Sequence, residues 1–160
     1  MIYIITIIEF ILGALLHFGY DFFPYPIVGI IAPVNESIFE HLKLVLYPML
    51  FVSLIVWYRY KNKDLSFLSA IVISIIVGIL SVVLIYYFYH SGLGIESLWL
   101  DILLLLVSIF IGNMSFYWVK IHHIQWSMKI SFVIILILII LFTFWTFLPP
   151  DLPLFIDYSI

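Results

Sequence analysis

The run Pro33-Val34-Asn35-Glu36-Ser37-Ile38-Phe39-Glu40-His41-Leu42-Lys43 crowds two carboxylates, an amide, an imidazole and an ammonium into a few turns of chain. Mixed imidazole and carboxylate sets suit a borderline divalent metal such as zinc, which takes about four N or O ligands and keeps one position open in catalytic sites. Without a metal, the same residues make a histidine general base oriented by a carboxylate, with Lys43 stabilising an oxyanion. On a regular helix Glu36, Glu40 and Lys43 (i, i+4, i+7) form one stripe that Tyr47 extends inward, so the Lys43 partner is Glu40 or Glu36. His41 points about 100° away from Glu40, alongside Ser37. Upstream, His17 and Asp21 are spaced i, i+4, a pairing that orients an imidazole. Ser37-x-x-Glu40 is also a capping box, but capping needs one hydroxyl and one carboxylate and leaves the other groups unexplained.

The elements that must position these groups are membrane helices. Of 160 residues, 66% are hydrophobic and 9% charged, and the mean hydropathy is +1.31. No soluble domain of this size could hide that much apolar surface. Bilayer hydrocarbon is about 30 Å thick and needs about 20 apolar helical residues. Five segments meet that ruler, at about 2–18, 38–58, 67–89, 98–119 and 128–148. Between them lie a Pro/Gly loop, a basic knot (Arg59 to Asp64), a Gly turn (His90 to Ser97) and a polar knot (Lys120 to Ser127). Pro149 and Pro150 end the last helix and predict an extended tail over 149–160. The N-terminal stretch lacks a basic leader and a small-residue cleavage site, which predicts a retained helix. The expectation is an all-α integral membrane bundle of about five transmembrane helices, one domain over 1–160.

Lys and Arg are retained on the cytoplasmic side. Arg59, Lys61, Lys63, Lys120 and Lys129 flank the second-to-third and fourth-to-fifth connections, which places the N-terminus inside and the C-terminus outside. Lys43 is the exception; about two turns inside the membrane, an unpaired ammonium costs several kcal/mol, so it needs a partner. In this topology His17, Glu36, Glu40, His41, Lys43, His90 and Asp101 gather at the outer face. His122 and His123 lie at the far end of the fourth helix from Asp101, about 30 Å at ~1.5 Å per residue, and are interfacial beside Lys120. Ser74, Gly78 and Ser81, like Ser108, Gly112 and Ser115 below Asp101, are small-residue packing stripes. Glu9 is a deep carboxylate two turns below His17, suited to a proton relay or to a protonated structural role. Pro48 frees the Leu44 carbonyl and kinks the second helix.

The Asn-Glu-Ser-x-x-Glu-His-x-Lys run, with His17 upstream and Tyr87, Tyr89, Gly92, Gly94, Asp101-Ile102, Phe147-Leu148-Pro149-Pro150, Pro153, Phe155 and Asp157 downstream, resembles a family of small multi-spanning bacterial membrane proteins of unknown function. The resemblance covers nearly the whole chain. Phe39 stands where that family usually has Trp. No activity is implied.

From these residues the expected function is a hydrolase or transferase at the extracytoplasmic face of a bacterial cytoplasmic membrane, acting on a lipid or lipid-anchored group. His17, Glu36, Glu40, His41, Lys43 and Asp101 are its candidate catalytic residues. His17, Glu36, Glu40, His41 and Asp101 are the candidate ligands of a divalent metal, zinc foremost. Two other classes fit: a proton-coupled binding or transport module using Glu9, and an accessory subunit of a homodimer or larger membrane complex. Few and scattered basic residues argue against nucleic acid, and the absence of cysteine removes disulfide and thiolate chemistry.

Overall fold

A chain in lipid must satisfy its backbone within each segment, so apolar runs of this length become helices. The computed structural model describes residues 2–59 and 65–157; Lys61, Lys63 and Asp64 of the basic knot and the last tail residues lie outside them. Helix α1 (Ile2–His17) breaks at Phe18 and resumes as the short α2 (Gly19–Phe22). After a loop and the single turn α3 (Pro26–Gly29), the second span is built from α4 (Ile38–His41) and α5 (Lys43–Arg59). Then come α6 (Leu65–Tyr87), which runs into a π turn (Phe88–Gly92), α7 (Leu98–Ile121), α8 (Met128–Phe147) and a 3-10 turn (Pro153–Phe155). Five helices are long and apolar enough to cross a membrane, and no strand occurs among the described residues. The all-helical membrane architecture expected from the sequence is the one observed.

The second span has the lowest mean hydropathy of the five, 1.6, and is the most enclosed, with 72% of its most apolar window buried against 17% for the first and last spans. Segments that face lipid must be apolar, so the span carrying Glu40 and Lys43 takes the centre. Helices α1, α6 and α7 pack against α5, and α8 against α6. Val45, Leu46, Met49, Ile71, Ile75 and Ile109 form the dry middle. Outward faces of α1 and α8 expose Ile4, Ile7, Ile11, Leu15, Val133, Leu136 and Ile140, as lipid contact demands.

Two glycines set how closely the helices approach. A Cβ at Gly112 would lie 2.7 Å from both Met49 Cε and the Ser74 carbonyl, which confirms the small-residue stripes of α6 and α7 as packing surfaces. A Cβ at Gly13 would lie 2.7 Å from the Leu44 carbonyl. That carbonyl is the one Pro48 leaves without an i+4 donor, and it points into the gap glycine provides.

Two expectations are corrected. The third span does not stop near Tyr89; its helical course continues as the π turn to Gly92, drawn on by Tyr89 and His90, whose side chains face neighbours described below. Nor is the tail extended from Pro149. The 3-10 turn folds back and stacks Phe155 on Phe39 with ring centroids 4.4 Å apart, edge-on to Trp145 at 5.8 Å. Aromatic burial holds the tail over the bundle end.

Replacing Gly13 by Ala should force α1 away from α5, because the obstructing atom is backbone. The expected cost is about 1–3 kcal/mol, read as a lower thermal midpoint in detergent; an unchanged midpoint would refute the close approach.

Candidate functional site

The site is organised by the start of the second span. Ser37, extended at φ −71°, ψ 151°, caps α4, and its Oγ accepts from the Glu40 N–H at 3.4 Å. The Asn35 side chain accepts from the Ser37 N–H at 3.0 Å, tightening the turn before the cap. Helix therefore begins at Ile38, and Glu36 lies off its axis instead of continuing the Glu40–Lys43 stripe.

Glu40 and Lys43 turn inward, away from the other chemistry-bearing groups. Both are buried, Lys43 fully. The Lys43 ammonium donates to Glu40 Oε2 at 2.6 Å, the Gly29 carbonyl at 2.7 Å and the Ala32 carbonyl at 3.3 Å, which uses all three of its protons. Glu40 Oε2 also accepts from the Val34 N–H at 2.9 Å, and Oε1 lies 2.9 Å from the Thr146 hydroxyl on α8. This knot ties the loop after α2 and the end of α8 to the second span. Saturated on every proton, Lys43 has none left for a substrate oxyanion; both residues position the site from below.

His41, one position further round the helix, faces the opposite side. Its Nδ1 lies 2.9 Å from the Ser37 carbonyl. A carbonyl only accepts, so Nδ1 carries the proton and, in the neutral ring, Nε2 carries the lone pair. Nε2 faces Glu36 Oε2 at 3.3 Å. The other Glu36 oxygen lies 4.0 Å from His17 Nε2 at the end of α1, and the two imidazoles are 5.2 Å apart, centroid to centroid. One ligating atom from each of His17, Glu36 and His41 lies within 4.8 Å of the others. Contact with His41 holds the Glu36 carboxyl below the usual carboxylate range, opposed by partial burial and by the charge of Asp157. Glu36 therefore stays ionised at neutral pH. An imidazole lone pair and a carboxylate oxygen repel unless positive charge stands between them, either a proton or a metal cation.

The pairing of His17 with Asp21 is not found among the described residues; a turn at Phe18 interrupts the helix between them. His17 Nδ1 is buried with no hydrogen-bond partner. Asp101, in the first turn of α7, lines the same cavity of about 500 Å³ as His17, Glu36 and His41. It stands outside the three-residue cluster and accepts a hydrogen bond from the Tyr89 hydroxyl. Tyr89 reaches it because the π turn swings it off the regular α6 register, a device common at functional sites. In the same turn His90 stacks on Tyr86, centroids 4.8 Å apart, with Nε2 3.8 Å from Glu96. Tyr86 lines the cavity.

The chain belongs to DUF6512, a family of unknown function, whose model matches residues 1–160. No curated protein and no solved structure matches it. Membership in DUF6512 agrees with the expected unknown-function family.

Of the sequence candidates, the structure brings His17, Glu36 and His41 together, with Asp101 across the cavity, and sets Glu40 and Lys43 apart. Tyr89 and Thr146, which support Asp101 and Glu40, carried no spacing signal: one depends on a π turn and the other on a contact between distant spans. Glu9 sits in a separate buried group, where Asn113 Nδ2 donates to its Oε2 at 2.6 Å and to Thr6 Oγ1 at 3.0 Å. His122 lies at the far end of α7, its Nδ1 2.9 Å from the Trp118 carbonyl.

Zinc titration of purified protein should give one site per chain, weakened at least about tenfold by His17→Ala or His41→Ala and unchanged by His122→Ala. Lys43→Met leaves a buried carboxylate unpaired and should cost about 3–5 kcal/mol, with Lys43→Met/Glu40→Leu costing less than the two single changes summed. Thermal unfolding of the four proteins checks this; strict additivity would refute the pairing.

Proposed function

We propose that this protein is a metal-dependent hydrolase whose reactive centre lies at the extracytoplasmic end of a five-span bundle, N-terminus in and C-terminus out, in a bacterial cytoplasmic membrane. His17, Glu36 and His41 hold one divalent cation of the zinc type. One observation carries the proposal: two imidazoles and a carboxylate from separate stretches of chain converge at the mouth of a cavity. Ligands of a tetrahedral zinc, bound at ~2.05 Å, stand about 3.4 Å apart. His41 Nε2 lies 3.3 Å from one Glu36 oxygen and His17 Nε2 4.0 Å from the other, and one ligand atom from each of the three residues lies within 4.8 Å of the other two, so a modest inward movement of the side chains would close the set around an ion. The hydrogen bond from His41 Nδ1 to the Ser37 carbonyl is the orienting contact that ligating histidines characteristically make.

Bound there, such a cation supplies Lewis acidity towards a carbonyl and towards water. The chain's own residues do the rest. Glu40 and Lys43 fix the helix start that aims His41. Asp101, oriented by Tyr89, faces the cavity as general base for an attacking water and then returns the proton to the leaving group. The apolar walls exclude bulk water and strengthen these charge interactions.

The orientation is supported by Arg59, Lys120 and Lys129, which sit at the ends of α5 and α7 and the start of α8, opposite the His/Glu cluster.

Zinc-loaded protein incubated with a bacterial lipid extract should consume a lipid class detectable by mass spectrometry. Asp101→Asn should slow turnover by about 10²–10⁴-fold while the bound zinc per chain stays the same. Equal turnover by wild type and Asp101→Asn, or loss of zinc together with activity, would assign Asp101 a different role.

A further inference from the structure

Resting on the hydrolase assignment, we infer that the substrate is an acyl lipid with an uncharged or cationic head, cleaved at its carboxylic ester or amide, with the acyl chain seated between α1 and α7.

The shape of the cavity is the first support. Its polar end is His17, Glu36, His41 and Asp101, and its remaining wall is almost wholly apolar: Phe10, Ala14, Leu44, Val82 and Leu105. On α1 the lining steps from His17 through Ala14 to Phe10, which carries the cavity about 10 Å below the imidazole at ~1.5 Å per residue. On α6 it steps from Tyr86 to Val82, and on α7 from Asp101 to Leu105. All three helices therefore lead from a polar mouth towards the bilayer middle. At about 500 Å³ the space is of the size that holds a small-molecule ligand, roughly 300–1,000 Å³. A molecule with its reactive group at headgroup depth and an apolar chain below is the shape that fits.

Charge is the second support. Glu36 and Asp101 both line the mouth. The nearest ammonium, Lys43, is fully buried and spends its protons on Glu40, Gly29 and Ala32. Among the described residues Arg59, Lys120 and Lys129 lie at the other end of the bundle. The carboxylates of Glu36 and Asp101 offset the divalent cation, so among the described residues the mouth carries no surplus positive charge to draw an anionic head, and heads without negative charge are preferred.

The reaction balances with water alone. The water oxygen bonds to the acyl carbon and gives its proton to Asp101. The C–O or C–N bond then breaks, its electron pair leaves with the alcohol or amine, and Asp101 returns the proton to that atom. Products are a fatty acid, which ionises, and a free alcohol or amine.

The test uses full-length protein in nanodiscs, with and without zinc. Diazirine-bearing monoacylglycerol and N-acyl ethanolamine are compared with a diazirine-bearing phosphatidic acid of the same chain length, and labelled residues are mapped by mass spectrometry. Labelling of the α1 and α7 cavity walls by the neutral probes, at least about tenfold over the phosphatidic acid, with competition by unlabelled lipid, is expected. Ala14→Trp and, as a milder change, Leu105→Phe should lower that labelling while zinc per chain and thermal midpoint stay near wild type. With zinc, free fatty acid and not inorganic phosphate should be released. Preferred labelling by phosphatidic acid, phosphate release, or labelling indifferent to both variants would overturn the inference. Neutral-lipid labelling without zinc binding or turnover would instead overturn the hydrolase assignment and leave an acyl-lipid binding cavity.

Discussion

Everything at the His/Glu end of this protein depends on a lysine that lipid will not tolerate alone. Lys43 lies five residues after the start of the second span at Ile38, and its ammonium must find three acceptors inside the protein. Glu40 is one; the carbonyls of Gly29 and Ala32 are the others. Meeting that demand pulls the loop after α2 down onto the second span. Glu40 in turn engages the Val34 N–H and Thr146, so the first loop, the second span and the end of α8 share one buried polar knot. The least apolar span ends up most enclosed for the same reason.

The knot separates two jobs that the sequence mixes. Glu40 and His41 are neighbours in the chain, yet a step of about 100° sends one into the knot and the other to the cavity. Glu36 could have joined the inward stripe, but the Ser37 cap starts the helix too late for that. It is left beside His41 and within reach of His17. A π turn makes a similar separation at the far wall: it takes Tyr89 off the α6 register and gives it to Asp101. The structural charges are thus satisfied internally, while Nε2 of His41 is turned to the cavity by the bond its Nδ1 makes to the Ser37 carbonyl.

Depth joins these features to chemistry. The imidazoles and carboxylates sit at the end of the bundle, where a lipid carries its polar linkage, and the cavity below them is lined by the side chains that an acyl chain prefers. Acid groups at the mouth and basic groups at the opposite end divide the bundle by charge.

Much of this was legible in one dimension. Hydropathy marks the five spans because lipid acts on each segment separately, whatever its neighbours. The buried Lys43 announces its need for a partner, and the gathering of His17, Glu36, His41 and Asp101 at one end follows from counting spans. Partner choice was not legible. Whether Glu36 or Glu40 meets Lys43 turns on where the helix begins, and periodicity extrapolates through a cap without seeing it. His17 meets Glu36 and not Asp21, with a turn at Phe18 interrupting the helix between His17 and Asp21. The tail folds because Phe39 offers a ring for Phe155 to stack on. Each of these outcomes depends on the relative phase of elements distant in sequence, and packing in three dimensions is what sets that phase.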